Sequence, residues 1–553
     1  MPQAPEAHTE DALLAEAATS GFGRRFAIYS KLSGPGWLQG AVTLGGGSLA
    51  GALFLGVLAG PQLLWLQPLA IACGITLLAA ITYVTLSTER QPVETISQNL
   101  SPVLAYAWIF GTMVANVVFC VPQFALATAT VTQNLMPSLH HNTAAPWVIG
   151  VILAVVGFVV VRSYGLGGKG IHLFEMMLKV LVGIVVVSFM AVVVLLLTSG
   201  QINIGAVFAG FVPSFSQFTE PTPTLAAAAA ATGENEGIWR VIIADQQRNR
   251  MLAAAGAAVG INMTFLLPYT LLKRRWGRRH RSLAIFDLSL GLLVPFVIAT
   301  SCLVIAAGSQ FYNRTDDVLA KDGTVIANMA GSYQASANAF VSKRDATVGE
   351  GAAVLTVATL AEPDRRLAAM LASRDAGQLA RTLQPVLGQA GANLIFGIGV
   401  FAMTVSTIIM LGLINAAALG ALLKKFDSPK VFLIGAMMPL IAGIFAPVIW
   451  TGASRAALAI PASVTAITLG PIAYITFLLL INSKGALGKN RPEGMARVVW
   501  NVLLLIATGL ATLASIWALS AKPEPWGTFG MTGLVLLALV GLIGYFRNRS
   551  STA

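Results

Sequence analysis

The chain has 553 residues, 56% of them hydrophobic and 10% charged, with a net charge of +12. Its mean hydropathy of +0.76 excludes a soluble globular domain and reads as a polytopic membrane protein. Cys73, Cys120 and Cys302 lie in apolar runs without CxxC spacing, so neither a disulfide framework nor a cysteine metal centre is expected.

An acidic, polar tail (Glu6, Glu10, Asp11, Glu16) comes first; it lacks the positive start and short apolar core of a signal peptide. Twelve apolar stretches follow, each long enough for about 30 Å of hydrocarbon: 34–59, 63–88, 104–134, 146–163, 171–198, 251–272, 283–308, 391–423, 430–449, 453–482, 498–520 and 527–546. The expected organisation is a tail over 1–31, a core over 32–482, two further spans over 498–546 and a second tail over 547–553. Basic residues crowd every second link, including Arg24, Arg25 and Lys31, then Lys273 to Arg281, Lys424, Lys425, Lys484, Lys489, Arg547 and Arg549. With twelve spans all of these share one side, and the positive-inside rule puts both termini in the cytoplasm. Topology anchoring accounts for the net charge without a nucleic-acid partner.

The alternate side carries two long loops. Loop 201–250 contains the low-complexity stretch TEPTPTLAAAAAATGENEG and reads as mobile; loop 309–390 ends in DRRLAAMLASRDAGQLARTLQPVL, whose helical spacing suits a helix that lies on the membrane or caps the outer mouth. No Walker A or GxSxG motif occurs, so neither an ATP-driven pump nor an enzyme is expected, and no cofactor is implied.

Span 1 carries VTLGGGSLAG. Each glycine costs a helix about 1 kcal/mol against alanine, and lipid offers no water to a freed backbone group. Span 6 has its own irregular centre, with Gly256, Gly260 and the kinking Pro268 in GAAVGINMTFLLPYTLL. In two sets of five spans these are the two first members. Interrupted helices at matching places point to a transporter's midplane site; close helix packing on glycine is the competing reading.

Three stretches resemble Nramp-type divalent metal transporters: SGPGWLQGAVTLGGGSLAG, FDLSLGLLVPFVIATSCLVIAAGSQF and LARTLQPVLGQAGANLIFGIGVFAMTVSTI. The resemblance covers spans 1 to 10. It implies an all-α membrane protein with the inverted five-plus-five repeat of the amino-acid–polyamine–cation superfamily and broken helices 1 and 6. It also implies alternating-access transport of divalent cations of the Mn²⁺/Fe²⁺/Mg²⁺ class, in the bacterial inner membrane. Its departures fall at the site. Where the family has DPGN, the chain has Gly45, Gly46, Gly47 and Ser48, so the metal-binding Asp and Asn positions become Gly45 and Ser48. The family's metal-ligating methionine of span 6 falls on Thr264, or on Met263 after a one-residue slip. The second histidine gives way to apolar residues near Leu271, the acidic pair of span 3 to Cys120 and Gln123, and the glutamine of span 10 to Arg455.

The predicted site thus offers backbone carbonyls with Ser48, Asn262, Met263, Thr264, Thr404 and Ser406, the metal ligands among them being Gly45, Ser48, Met263 and Thr264. It offers no carboxylate. Arg455 at about 4 Å would repel a dication by roughly 8 kcal/mol at an effective dielectric near 20. Its three readings are a snorkelling interfacial residue, a gating partner, and a ligand for an anion held with the Gly45–Ser48 N–H groups. Glu175 and Lys179, four apart in span 5, read as a structural pair or a proton relay. Asp287 in span 7 has a counterpart in the family pattern and reads as neutralising an arginine of the basic link. Three functions follow in order of preference: a divalent-cation transporter with an atypical site, a transporter of another small solute on the same fold, and a non-transporting sensor. Without the family's proton carriers, flux is expected to be passive or weakly coupled.

Overall fold

The computed structural model describes residues 4–33, 35–165, 183, 186–200, 202–348, 355–452 and 454–550. Glu175 and Lys179 lie outside the described residues. Within them every regular element is helical except one antiparallel bridge between Leu319 and Val325. Ten helices are long and apolar enough to cross a membrane, and two shorter apolar helices fall at the fifth and ninth predicted spans.

Helices α1 (Ala4–Thr19) and α2 (Phe22–Leu32) precede span 1, which is split into α3 (Pro35–Thr43) and α4 (Gly46–Ala59). Spans 2 to 4 are α5 (Leu66–Thr88), α6 (Pro102–Thr130) and α7 (Ala145–Gly165). The described end of span 5 is α8 (Val186–Thr198). Span 6 is α9 (Glu236–Ala258) and α10 (Met263–Lys273); span 7 is α11 (Arg281–Leu288) and α12 (Val294–Phe311), joined by the π turn Ser289–Leu293. Spans 8 and 9 are α13 (Gln384–Leu423) and α14 (Pro429–Ile444). Span 10 is α15 (Ala459–Thr468) and α16 (Gly470–Asn482), and spans 11 and 12 are α17 (Gly494–Ser520) and α18 (Trp526–Ser550).

Burial sorts these helices. Every residue of α4 is buried, whereas 6% of the apolar window of α18 is buried, so the interrupted helix sits at the centre and span 12 at the lipid-facing rim. Small residues bring α4 and α12 together: a side chain on Gly56 would strike the Val304 carbonyl, and one on Gly308 would meet Gly60 Cα at 2.9 Å. The basic links meet at one end. There Arg281 lies over the Tyr83 ring at 4.8 Å and donates to Ser87, Asn490 donates to the Ser87 carbonyl, and Phe426 packs on Tyr269.

Two boundary expectations change. Span 6 begins at Glu236, not at 251. Its first turns read as loop because they are rich in polar residues, yet Trp239, Ile242 and Ile243 repeat at helical spacing and are buried. The stretch expected to be mobile is packed: Pro223–Ala230 is helical with Leu225 and Ala229 buried. Buried Gln247 fastens it, accepting from the Thr222 N–H at 2.8 Å and donating to the carbonyls of Gln217 and Glu220. Span 8 also starts early, at Gln384, and bends at Gly388, whose φ of 63° favours glycine.

Candidate functional site

The site begins with how span 1 enters the bundle. Pro35 occupies the first position of α3, where its missing N–H is no loss. The Gly36 N–H donates to Asp287 Oδ2 at 2.6 Å and Ser33 Oγ donates to Oδ1. Asp287, 1% exposed, thus caps the N-terminus of α3 from span 7, the end that favours negative charge. Gly36 admits this approach, since a Cβ there would collide with the Asp287 backbone. This cap is a role for Asp287 beside the arginine-neutralising one expected from the sequence.

Helix α3 stops at Thr43, Gly45 is extended (φ −97°, ψ −175°), and α4 starts at Gly46. Bonding resumes at once, with Leu44 N–H on the Gly40 carbonyl at 2.8 Å and Leu49 N–H on Gly45 at 3.1 Å. The interruption is therefore narrow, and the glycines are also packing surfaces. A Cβ on Gly45 would strike Thr407 Oγ1, one on Gly46 would meet Gln123 Oε1 at 2.6 Å and Thr404 Cγ2 at 2.7 Å, and one on Gly47 would meet the Phe119 ring at 2.5 Å. The helix is broken at the GGG run, and helices from spans 3 and 8 press against the break.

Span 6 breaks between Ala258 and Met263. Val259 is extended (φ −148°, ψ 96°), and Gly260 to Asn262 form a turn in which Met263 N–H donates to the Gly260 carbonyl at 3.0 Å. Pro268, expected at the kink, lies inside α10 instead. The break falls upstream, where β-branched Val259 and Gly260 each weaken a helix.

Side chains tie the two breaks together. Ser48 Oγ reaches two carbonyls that the interruptions free, Thr43 of span 1 and Ala257 of span 6, the latter at 3.0 Å. One hydroxyl proton serves one of them at a time. Gln39 Nε2 donates to the Met263 carbonyl at 2.6 Å, and Thr43 Oγ1 lies 3.9 Å from Met263 Sδ. Thr264 faces away, receiving the Trp108 Nε1–H at 2.9 Å and donating to the Ile261 carbonyl. Of the two residues between which the span-6 position was left open, Met263 therefore fronts span 1, and the Thr264 hydroxyl is spent within the wall.

Around the breaks are buried polar atoms without a hydrogen-bond partner among the described residues: both amide atoms of Asn116 and of Asn262, Gln123 Oε1 and Thr112 Oγ1. Each buried polar group left so costs about 1–3 kcal/mol. On span 8, Thr404 and Thr407 face the span-1 break, and Ser406 lies about 200° around the helix from Thr404. Arg455 is not at the breaks. It precedes α15 in a turn held by Asp375, whose Oδ1 accepts the Ala456 N–H at 2.9 Å, and it lines a small cleft with Phe124, Thr128 and Trp450. Neither break contributes to that cleft, so the direct-ligand reading of Arg455 is withdrawn. Thr407, Gln39, Thr43 and Asn116 were missed from sequence. Asn116 carried a usable signal, an amide inside an apolar span; the other three needed the packing.

Among the described residues no group of three or more His, Cys, Asp or Glu is placed to hold a metal ion. The donor set described at the breaks is neutral: carbonyls, hydroxyls, amides and a thioether. Next to Leu44 and Ser48 is a cavity of ≈ 10 Å³, about the space of one water. The conformation is closely packed at its centre.

No curated protein matches the chain. The fold matches solved structures of the Eremococcus coleocola manganese transporter. A mutant of that transporter and its complex with an aromatic bis-isothiourea substituted compound are 14% and 15% identical, each with a TM-score of 0.62, covering 99% of this chain and 97% of theirs. A family model described as natural resistance-associated macrophage protein-like matches residues 36–340 and 347–518. The match runs through both interrupted helices and all but the last span, and the chain belongs to the Nramp family.

Proposed function

We propose that the protein is a secondary transporter of divalent metal cations of the Mn²⁺/Fe²⁺/Mg²⁺ class, working by alternating access and gripping its cargo at the two breaks with neutral donors. Family membership supports the class of cargo, as does the manganese named for the structures that share the fold. The observation that carries the reading is the hydroxyl of Ser48 spanning the freed carbonyls of Thr43 and Ala257. A cation entering between the half-helices takes over those carbonyls and turns Ser48 from a donor to them into an oxygen ligand. Gly45 shapes the approach, the Met263 thioether adds a soft ligand, and Asn262, Asn116 and Gln123 supply amide oxygens to the ion or its waters. Thr404 and Thr407 line the span-8 wall, with Ser406 on the far side of that helix. Spans 1–10 form the transport core and spans 11 and 12 are appended to it. Glu175, Lys179 and Asp287 carry structural charge.

Reconstituted in liposomes, the protein should take up Mn²⁺ and Mg²⁺ saturably. Ser48→Ala should raise the half-saturating concentration of both about tenfold, or ~1.4 kcal/mol. Met263→Leu should weaken Mn²⁺ more than Mg²⁺, because sulfur favours the softer ion. Arg455→Gln should leave uptake unchanged. Absence of cation uptake together with saturable flux of an organic acid would replace this reading with that of another solute on the same fold.

A further inference from the structure

We propose that a cavity between spans 2, 6, 10 and 11 seats one acyl chain of a membrane phospholipid. The cavity measures ≈ 310 Å³ and is walled by Cys73 of α5, Met251 and Ala255 of α9, Tyr474 of α16, and Ala511 and Leu513 of α17. Its origin is the way α17 is fastened. At one end Asn501 and Asn482 exchange side-chain hydrogen bonds of 2.6 and 3.2 Å. At the other, Ser515 Oγ donates to the Thr468 carbonyl at 2.6 Å, and the Trp517 ring lies 4.7 Å from Phe218. From Asn501 to Ser515 the helix runs about 21 Å at 1.5 Å per residue. Between the two fastenings the small side chains of Ala507, Ala511 and Ala514 line the cavity and leave its space unfilled.

The occupant follows from the position and the lining. Leu513, 52% exposed, stands at the rim among Leu505, Ile506 and Ile516, which are also exposed; this is the apolar surface that span 11 turns to the bilayer, and the cavity is continuous with it. Cys73, Tyr474 and Trp517 carry the only polar side-chain atoms of the lining. A water needs two to four partners, and an apolar cavity of even ~150 Å³ stays dry and takes hydrocarbon. Phe218 and Trp517 shut the loop end, so entry is sideways from the hydrocarbon layer, where lipid tails are the abundant species. With no hydrophobic drive between lipid and protein, dispersion contacts hold the chain. Met251 and Ala255 belong to the half of span 6 that ends at the break, so a seated chain packs directly behind the candidate site.

The proposal is independent of the cargo and is tested by counting lipid. Extracted in mild detergent and weighed by native mass spectrometry, the unmodified protein should retain a phospholipid. Ala511→Trp and Ala255→Leu, which fill the cavity, should lower that occupancy about tenfold or more. Val502→Trp, which adds bulk on the membrane-facing side of the same helix, should leave it unchanged. Equal occupancy in all four proteins, an adduct with the mass of a fatty acid or detergent, or no adduct on the unmodified chain would overturn the assignment. If Ala511→Trp does not elute as a folded species, Ala255→Leu decides alone.

Discussion

Gly45 and Thr407 show how one atom sets the geometry of the break. The Thr407 hydroxyl donates to the Met403 carbonyl one turn below, at 2.9 Å, and this holds it against Gly45. A methyl group on Gly45 meets that oxygen and has nowhere to go. Gly45→Ala should therefore lower the thermal stability by about 1–3 kcal/mol, the usual range for overpacking, and reduce transport with it. Adding Thr407→Ala removes the obstructing oxygen and should recover most of the loss. A double variant as unstable as the single one would show that the Val42 carbonyl, 3.1 Å from the added methyl, is the obstruction instead. Ser48 acts at the same scale: a single hydroxyl reaches both interrupted spans, a task within the reach of a short side chain placed between two backbones.

Among elements, the segment after Glu362–Leu371 does the most to close the loop end. Arg374, fully buried, forms a two-pronged pair with Asp317 at 2.9 Å on each prong and donates to the carbonyls of Met370 and Ala372. The adjoining residues fasten to span 3, where Gln133 donates to Asp375 at 2.6 Å and accepts from the Gly377 N–H at 2.9 Å, and to span 10 through Ser454 and Ala456. Asp317→Asn should destabilise the protein by about 3–5 kcal/mol, because it leaves a buried guanidinium short of its counter-charge. The joint change Asp317→Leu with Arg374→Met should cost far less, since it removes both charges at once. Melting curves of the two variants in detergent check this; equal losses would mean that the pair adds nothing beyond packing. The DRRLAAML sequence announced a helix by its spacing, but the counter-charge of Arg374, Asp317, lies 57 residues away in the chain and carried no local signal.

Across the whole molecule, the links carrying the positive charge meet at one end, and Asp375, Gln133 and the turn before α15 meet at another site fastened by the long loop. The positive-inside rule predicts both termini in the cytoplasm and the long loops outside. A green fluorescent protein fused after Ala553 should fluoresce, an alkaline phosphatase fused there should be inactive, and a cysteine introduced by Lys321→Cys should react with an impermeant maleimide from outside the cell. The opposite pattern would invert the molecule.

Hydropathy alone located the membrane segments, because a spanning helix must bury its own backbone bonds whatever its neighbours do. The helix break in span 1 was legible for the same reason: three glycines weaken a helix locally. The start of span 6 at Glu236 was not, since Gln247 and Arg250 look like loop residues until Phe54 and the Gln217–Thr222 segment are brought beside them. Nor was the orientation of Met263 against Thr264, or the removal of Arg455 from the breaks. Each of these depends on which helix stands opposite, and that is decided by contacts between residues far apart in the chain, to which local pattern is blind.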